Sequence, residues 1–101
     1  MGTRTFVLLL RITAQQYALA SRQFSDGNRK ASPLVLALIE QGTYKLSVYT
    51  RKTITLTDIS TRRHYTGAVP ASLALYIAGF RRGLRVVQDR EFELVLLSLD
   101  D

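Results

Sequence analysis

Apolar residues fill both faces of residues 5–13: Phe6, Leu8, Leu10 and Ile12 share one parity and Val7 and Leu9 the other. A strand with this pattern is covered on two sides, so it is expected to be central in its sheet, with Arg4 and Arg11 near its ends. Thr13 and Gln16 then have the spacing of a capping box, and Tyr17, Leu19, Ala20 and Phe24 form the buried stripe of a short helix. Ser25, Asp26, Gly27 and Asn28 are turn chemistry, and no run of acidic ligands follows that would make the turn a calcium loop. Ser32 as N-cap, Pro33 at the first helical position and Gly42 past the end bracket a second helix over residues 33–41. Leu34, Val35, Leu36, Leu38 and Ile39 make it apolar nearly all round, as expected of a helix that is well buried or shared with a second subunit.

Residues 43–59 return to a period of two. Tyr44, Leu46, Val48, Ile54 and Leu56 point to the core, and Lys45, Ser47, Tyr49, Arg51, Thr53, Thr55 and Thr57 point away from it. Polar residues 50–52 mark a hairpin turn; the Asn-Gly or Asp-Gly signal is missing, which leaves one long bent strand as the alternative. A helix over 70–82 starts on Pro70, turns Leu73, Tyr76, Ile77 and Phe80 inward and closes at Gly83. Residues 84–88 and 91–99 read as strands joined through Asp89 and Arg90. The order β, one or two helices, β, β, α, β, β resembles the ferredoxin-like βαββαβ plan with an additional element. The expected class is therefore α+β, a mainly antiparallel sheet packed by two or three helices.

The chain has 101 residues, no Cys and no Trp, with 47% apolar and 22% charged residues. That suits a single domain able to bury a core without disulfides or a metal. The lack of cysteine removes zinc knuckles, thiol nucleophiles and disulfide frameworks, and it fits a reducing compartment, so a cytoplasmic location is expected. Arg11 ends the apolar run Phe6–Leu10 too early for a signal peptide, and no stretch reaches the length of a membrane span. Phe6 stands where a myristoylation motif needs Ser or Thr.

Charge changes the picture more. The formal net charge is +6, and it is uneven: residues 1–88 hold 13 basic and 3 acidic side chains, whereas residues 89–101 hold Arg90 and five acids. Arginine dominates, and its planar fork grips phosphate or carboxylate through paired hydrogen bonds. The acidic final strand and end are expected to screen part of the basic body or to solvate an edge, with Glu91 and Glu93 on one parity.

Catalytic chemistry is poorly supplied. His64 is the one histidine, flanked by cations in the stretch Thr61, Arg62, Arg63, His64 and Tyr65, and few acids lie outside the tail. Phosphate-binding glycine loops and nucleophile elbows are missing, so a non-enzymatic protein without a cofactor or metal is expected. The favoured function is nucleic-acid binding through an arginine-rich surface. Its candidate residues are Arg62, Arg63, His64 and Tyr65, a second cluster of Arg81, Arg82 and Arg85, and Lys45, Tyr49 and Arg51 from the outward face of the hairpin, with Tyr49 as a stacking platform. The two clusters need not touch. Each residue also has a plain structural explanation: threonine suits an exposed strand, and arginine suits a helix C-terminus. The competing expectation is a module that binds an acidic protein surface or forms a homodimer through apolar residues such as Val7 and Leu9.

Overall fold

Thr13 ends the first strand by opening the helix that follows. Its hydroxyl accepts the Gln16 N–H at 3.1 Å while the Gln16 side chain accepts the Thr13 N–H at 2.9 Å, completing the capping box. In a computed structural model describing residues 5–28, 30–86 and 88–99, this junction joins β1 (Thr5–Ile12) to α1 (Ala14–Ser25). Then come α2 (Pro33–Gln41), β2 (Tyr44–Tyr49), β3 (Thr53–Asp58), β4 (His64–Ala68), α3 (Ala71–Arg81) and β5 (Arg90–Ser98). Helix α2 is bracketed as expected: the Ser32 hydroxyl accepts the Leu34 N–H, Pro33 occupies the first turn, and Gly42 ends the helix at φ +74°. Residues 43–59 form a hairpin, not one long strand.

The class is α+β, with five antiparallel strands and three helices, but the sheet order β1-β5-β4-β3-β2 differs from the ferredoxin-like plan. Two segments also differ from the expected order of elements. Residues 64–68, where no strand is expected, form β4; residues 84–86 and 88, expected as a strand, do not. The chain after α3 has other partners. Leu84 donates its N–H to the Gly79 carbonyl, and its own carbonyl accepts from the Tyr17 hydroxyl.

Strand β1 is an edge, not the centre, so Val7 and Leu9 lie on the open outer face, each 56% exposed. Strand β5 lies between β1 and β4 in the sheet order but pairs with β4 only near its end, at Leu97 and Ser98, so the exposed Glu91 and Glu93 have a strand partner on the β1 side alone, opposite Arg11 and Leu9. Phe6 on one edge strand and Tyr44 on the other have ring centroids 6.3 Å apart. A flat five-stranded sheet would hold its edges roughly 19 Å apart. The sheet is therefore curled into a half-barrel whose edge strands approach at this end, and α2 packs against both β1 and β2. The Gln41 amide reaches from the end of α2 to the Leu9 carbonyl on the β1 edge.

The core fills the concave side. Leu10, Ile12, Ile54, Leu56, Leu94 and Leu96 from the sheet pack with Leu34, Leu38 and Leu73 from the helices. Tyr17 stands edge-on to both Tyr76 and Phe80, which ties α1 to α3. Leu73, Tyr76, Ile77 and Phe80 are buried as expected, whereas Leu19, expected inside, is 44% exposed; Ile39, on a helix expected to be either well buried or shared with a second subunit, is 66% exposed. At Gly67 an added Cβ would meet the Val95 carbonyl oxygen at 2.2 Å, so β4 approaches β5 more closely than any side chain would permit. Arg4, Asp100 and Asp101 lie outside the described residues, and with them part of the expected acidic end. Among the described residues no helix is long and apolar enough to cross a membrane.

Candidate nucleic-acid interface

The β3–β4 turn carries the first expected cluster. The Asp58 carboxylate accepts the N–H groups of Ser60 and Thr61 and the Ser60 hydroxyl, at 2.9, 3.1 and 2.8 Å. The Thr61 and Ser60 bonds hold its carboxyl below the ordinary range. Arg62 adopts φ +63°, with its N–H bonded to the Asp58 carbonyl, and Arg63 and His64 follow as exposed residues. This is a convex turn wound around a carboxylate. Tyr65, expected beside these cations, belongs to the concave side: its ring stands edge-on to Phe6 at 5.1 Å and to Tyr44 at 5.9 Å. Its half-buried ring packs against the core, turned away from the exposed Arg62, Arg63 and His64.

The second cluster is built differently. The C-terminal half of α1 and the end of α3 with the segment after it enclose an open cleft of about 840 Å³. Arg22 lines it from α1; Arg81, Arg82 and Arg85 line it from the other wall. Phe24, Phe80, Leu84 and Val86 supply its apolar surface, with Ser21 and Ser25 on the α1 side. No carboxylate lines it among the described residues; Asp26 stands between the lining residues Ser25 and Gly27 without taking part. Phe24 and Phe80 meet edge-on at 5.6 Å, and the buried Tyr17 hydroxyl, its pKa pushed up by desolvation, pins the far wall through Leu84. Arginine at a helix C-terminus offsets the dipole, but two such ends carry roughly one negative charge together. Four guanidinium groups exceed that.

Tyr49 was expected on the outward face and is found on the concave one. A bulge between Leu46 and Val48 shifts the register by one residue, so Val48 turns out, 51% exposed, and Tyr49 turns in, opposite Ile54. Tyr49 lines a second cavity of about 310 Å³ with Lys30, Leu46 and Ile77. Burial raises its hydroxyl pKa and the nearby Arg81 opposes the rise. Phe80 and Arg81 line both cavities, so the two adjoin across Arg81.

Lys45 does lie on the outward face, opposite Thr57, and Arg51 lies in the exposed β2–β3 turn. The expected residues are thus dispersed: Arg81, Arg82, Arg85 and Tyr49 come together, and Arg62, Arg63 and His64 stand apart beside Leu99 at the end of the sheet where β5 finishes. Arg22 and Lys30 complete the basic lining and were not singled out in the sequence; the signal for Arg22 was its place in the last turn of α1. The ion pair of Arg11 with Asp89, at 2.8 Å, lies elsewhere. Asp89 also accepts the Ala14 N–H at 2.9 Å, and these two contacts lower its pKa. No protein-family model matches the chain, and no curated protein or solved structure matches it at a significant level.

Proposed function

We propose that this protein is a small non-enzymatic nucleic-acid-binding module of a reducing, cytoplasmic compartment, and that it grips phosphates through the cleft between α1 and the end of α3. The observation that carries this reading is the cleft lining: four arginines around an apolar floor, with no carboxylate among the described residues that line it. Arginine forks bind phosphate oxygens bidentately, and a concave apolar site strengthens such bonds by excluding water. Arg62, Arg63 and Lys45 add long-range attraction, and the cleft supplies the contacts.

The test is fluorescence anisotropy with labelled oligonucleotides at increasing salt. Three to four phosphates engaged on a single strand should give a slope of log affinity against log salt of about −2 to −3. Absence of binding at low salt would overturn the reading.

A second reading, a homodimer or a complex with another protein surface, draws on the outer sheet face. Val7, Leu9 and Val95 are each more than half exposed there, and Val7 lies directly opposite Val95. Sedimentation over a wide concentration range tests self-association. Leu9→Glu should then yield a folded monomer, because Leu9 lies outside the core.

A further inference from the structure

The two cavities that adjoin across Arg81 have similar equipment. Each has an apolar wall, each is rimmed by basic side chains, and each offers a serine hydroxyl, Ser21 and Ser25 in the larger and Ser32 in the smaller. Their volumes, about 840 and 310 Å³, fall in the range of small-ligand sites. A flat aromatic or apolar surface is present in both: Phe24 and Leu84 in one, Tyr49 in the other. They share two lining residues, the ring of Phe80 and the guanidinium of Arg81. We infer that the pair forms consecutive subsites for two unstacked bases of a single nucleic-acid strand, with the phosphate that links them held by Arg81.

This inference rests on the proposed nucleic-acid reading and narrows it to single strands. A duplex keeps its bases stacked inside and offers only phosphates to a basic rim, so the apolar floors would stay empty. An acyl chain would match the apolar walls, the shared Phe80 included, but would leave the shared Arg81 guanidinium without an anionic partner. A single strand supplies both chemistries: bases for the two apolar cavities and a linking phosphate for the Arg81 they share. Stacking on aromatic or apolar walls tolerates any base, while the serine hydroxyls can bond to base edges without demanding one sequence.

The experiment measures the affinity of the full chain, at fixed low salt, for oligothymidylate and oligouridylate, for the same strands with two adjacent abasic positions, for duplex of equal length, and for inorganic polyphosphate. A set of 5′-phosphorylated mono-, di- and trinucleotides completes it. The expected results are a loss of about tenfold or more for the abasic strands, weaker binding of duplex and polyphosphate, and a step in affinity from mono- to dinucleotide larger than that from di- to trinucleotide. Arg81→Ala should shrink the step from mono- to dinucleotide to no more than the step from di- to trinucleotide, and Arg81→Lys should recover part of it. Arg81 is exposed, so both variants should fold, with circular dichroism as the check. Equal affinity for intact strands, abasic strands and polyphosphate would overturn the two-base arrangement and leave a general polyanion surface. Failure of every probe to bind would remove the nucleic-acid reading itself. The deoxy and ribo strands distinguish DNA from RNA within the same arrangement.

Discussion

Arg62 and Arg63 stand on a tight turn at one end of the sheet, whereas Arg22, Arg81, Arg82 and Arg85 surround a cleft between two helices. In the sequence both regions are short runs of arginine. In space the first is convex and wound on the Asp58 carboxylate, so a phosphate arriving there would meet solvated guanidinium groups and a fixed negative charge close by. The second is concave, with an apolar floor and no carboxylate among its described lining residues. Equal formal charge therefore does not mean equal binding. Exposed charges attract from a distance and are screened by salt, and convergent ones form the short bonds that hold a ligand.

The sharpest way to break this comparison is to reverse charge in each region separately. Arg81→Glu with Arg82→Glu should weaken single-strand binding by roughly 100-fold, the equivalent of about 1.4 kcal/mol at each position. Arg62→Glu with Arg63→Glu should cost roughly threefold or less and act mainly on the association rate. Stopped-flow kinetics separates the two: the cleft pair should raise the dissociation rate, the turn pair lower the association rate. Equal losses through association alone would reduce the cleft to one more patch of charge.

A second experiment uses the tyrosines, which the sequence placed in the reverse of their structural roles. Tyr49→Ala should cost about tenfold on single strands and little on duplex. Tyr65→Ala, which removes a ring packed between Phe6 and Tyr44, should leave binding unchanged and lower stability by about 1–3 kcal/mol. Urea denaturation beside anisotropy reads both effects. The reverse result would mean that the sheet end with Phe6, Tyr44 and Tyr65 is the binding surface.

These roles were hidden in the sequence for a definable reason. Elements marked by local chemistry were legible: Thr13 with Gln16 for α1, Ser32, Pro33 and Gly42 for α2, Pro70 and Gly83 for α3. Side-chain parity was legible only while the register held. The bulge after Leu46 inserts one residue and sends Tyr49 and Val48 to opposite faces from those that alternation implies, and no residue type announces it. Strand β4 leaves no clear mark in the sequence because it is five residues long, follows two arginines and is interrupted by Gly67. Leu84 and Val86 mimicked a strand because the wall of an apolar cleft and the face of a strand draw on the same residues. The edge position of β1 has the same root: apolar residues on both faces suggest two coverings, and the structure leaves the outer face open. Arg81, Arg82 and Arg85 stand out in the sequence as a basic cluster, but their convergence with Arg22 depends on how α1 packs against α3, a long-range contact with no local marker.

A smaller effect tests the backbone of the turn. Arg62 holds a left-handed conformation that costs a residue with a Cβ about 1 kcal/mol. Arg62→Gly should relieve it and raise stability by up to about 1 kcal/mol, offset in part by the greater freedom of glycine in the unfolded chain, while nucleic-acid affinity hardly changes. No comparable gain is available in the cleft, where Gly83 already occupies φ +80° beside Arg82.

The smallest expected effect is the dependence of the turn on acid. The carboxyl of Asp58 is held below its ordinary pKa by hydrogen bonds from Thr61 and Ser60, so the folded chain releases this proton more readily than the unfolded one. A depressed folded value contributes stability that is fully present above the unfolded pKa and is lost as pH falls through the folded value. Asp89, lowered by the Ala14 N–H and by Arg11, acts in the same direction. Thermal melting as pH falls from neutrality into the acid range should therefore show a declining midpoint. Asp58→Asn should flatten part of the decline and Asp89→Asn another part, because an amide has no proton to gain. Neutralising Arg81 and Arg82 should leave the acid limb unchanged, since no carboxylate among the described residues lines their cleft. If the Arg81 and Arg82 variant did alter that limb, a carboxylate would have to pair with the cleft in solution. The contrast between a turn built around a carboxylate and a cleft built without one would then fail.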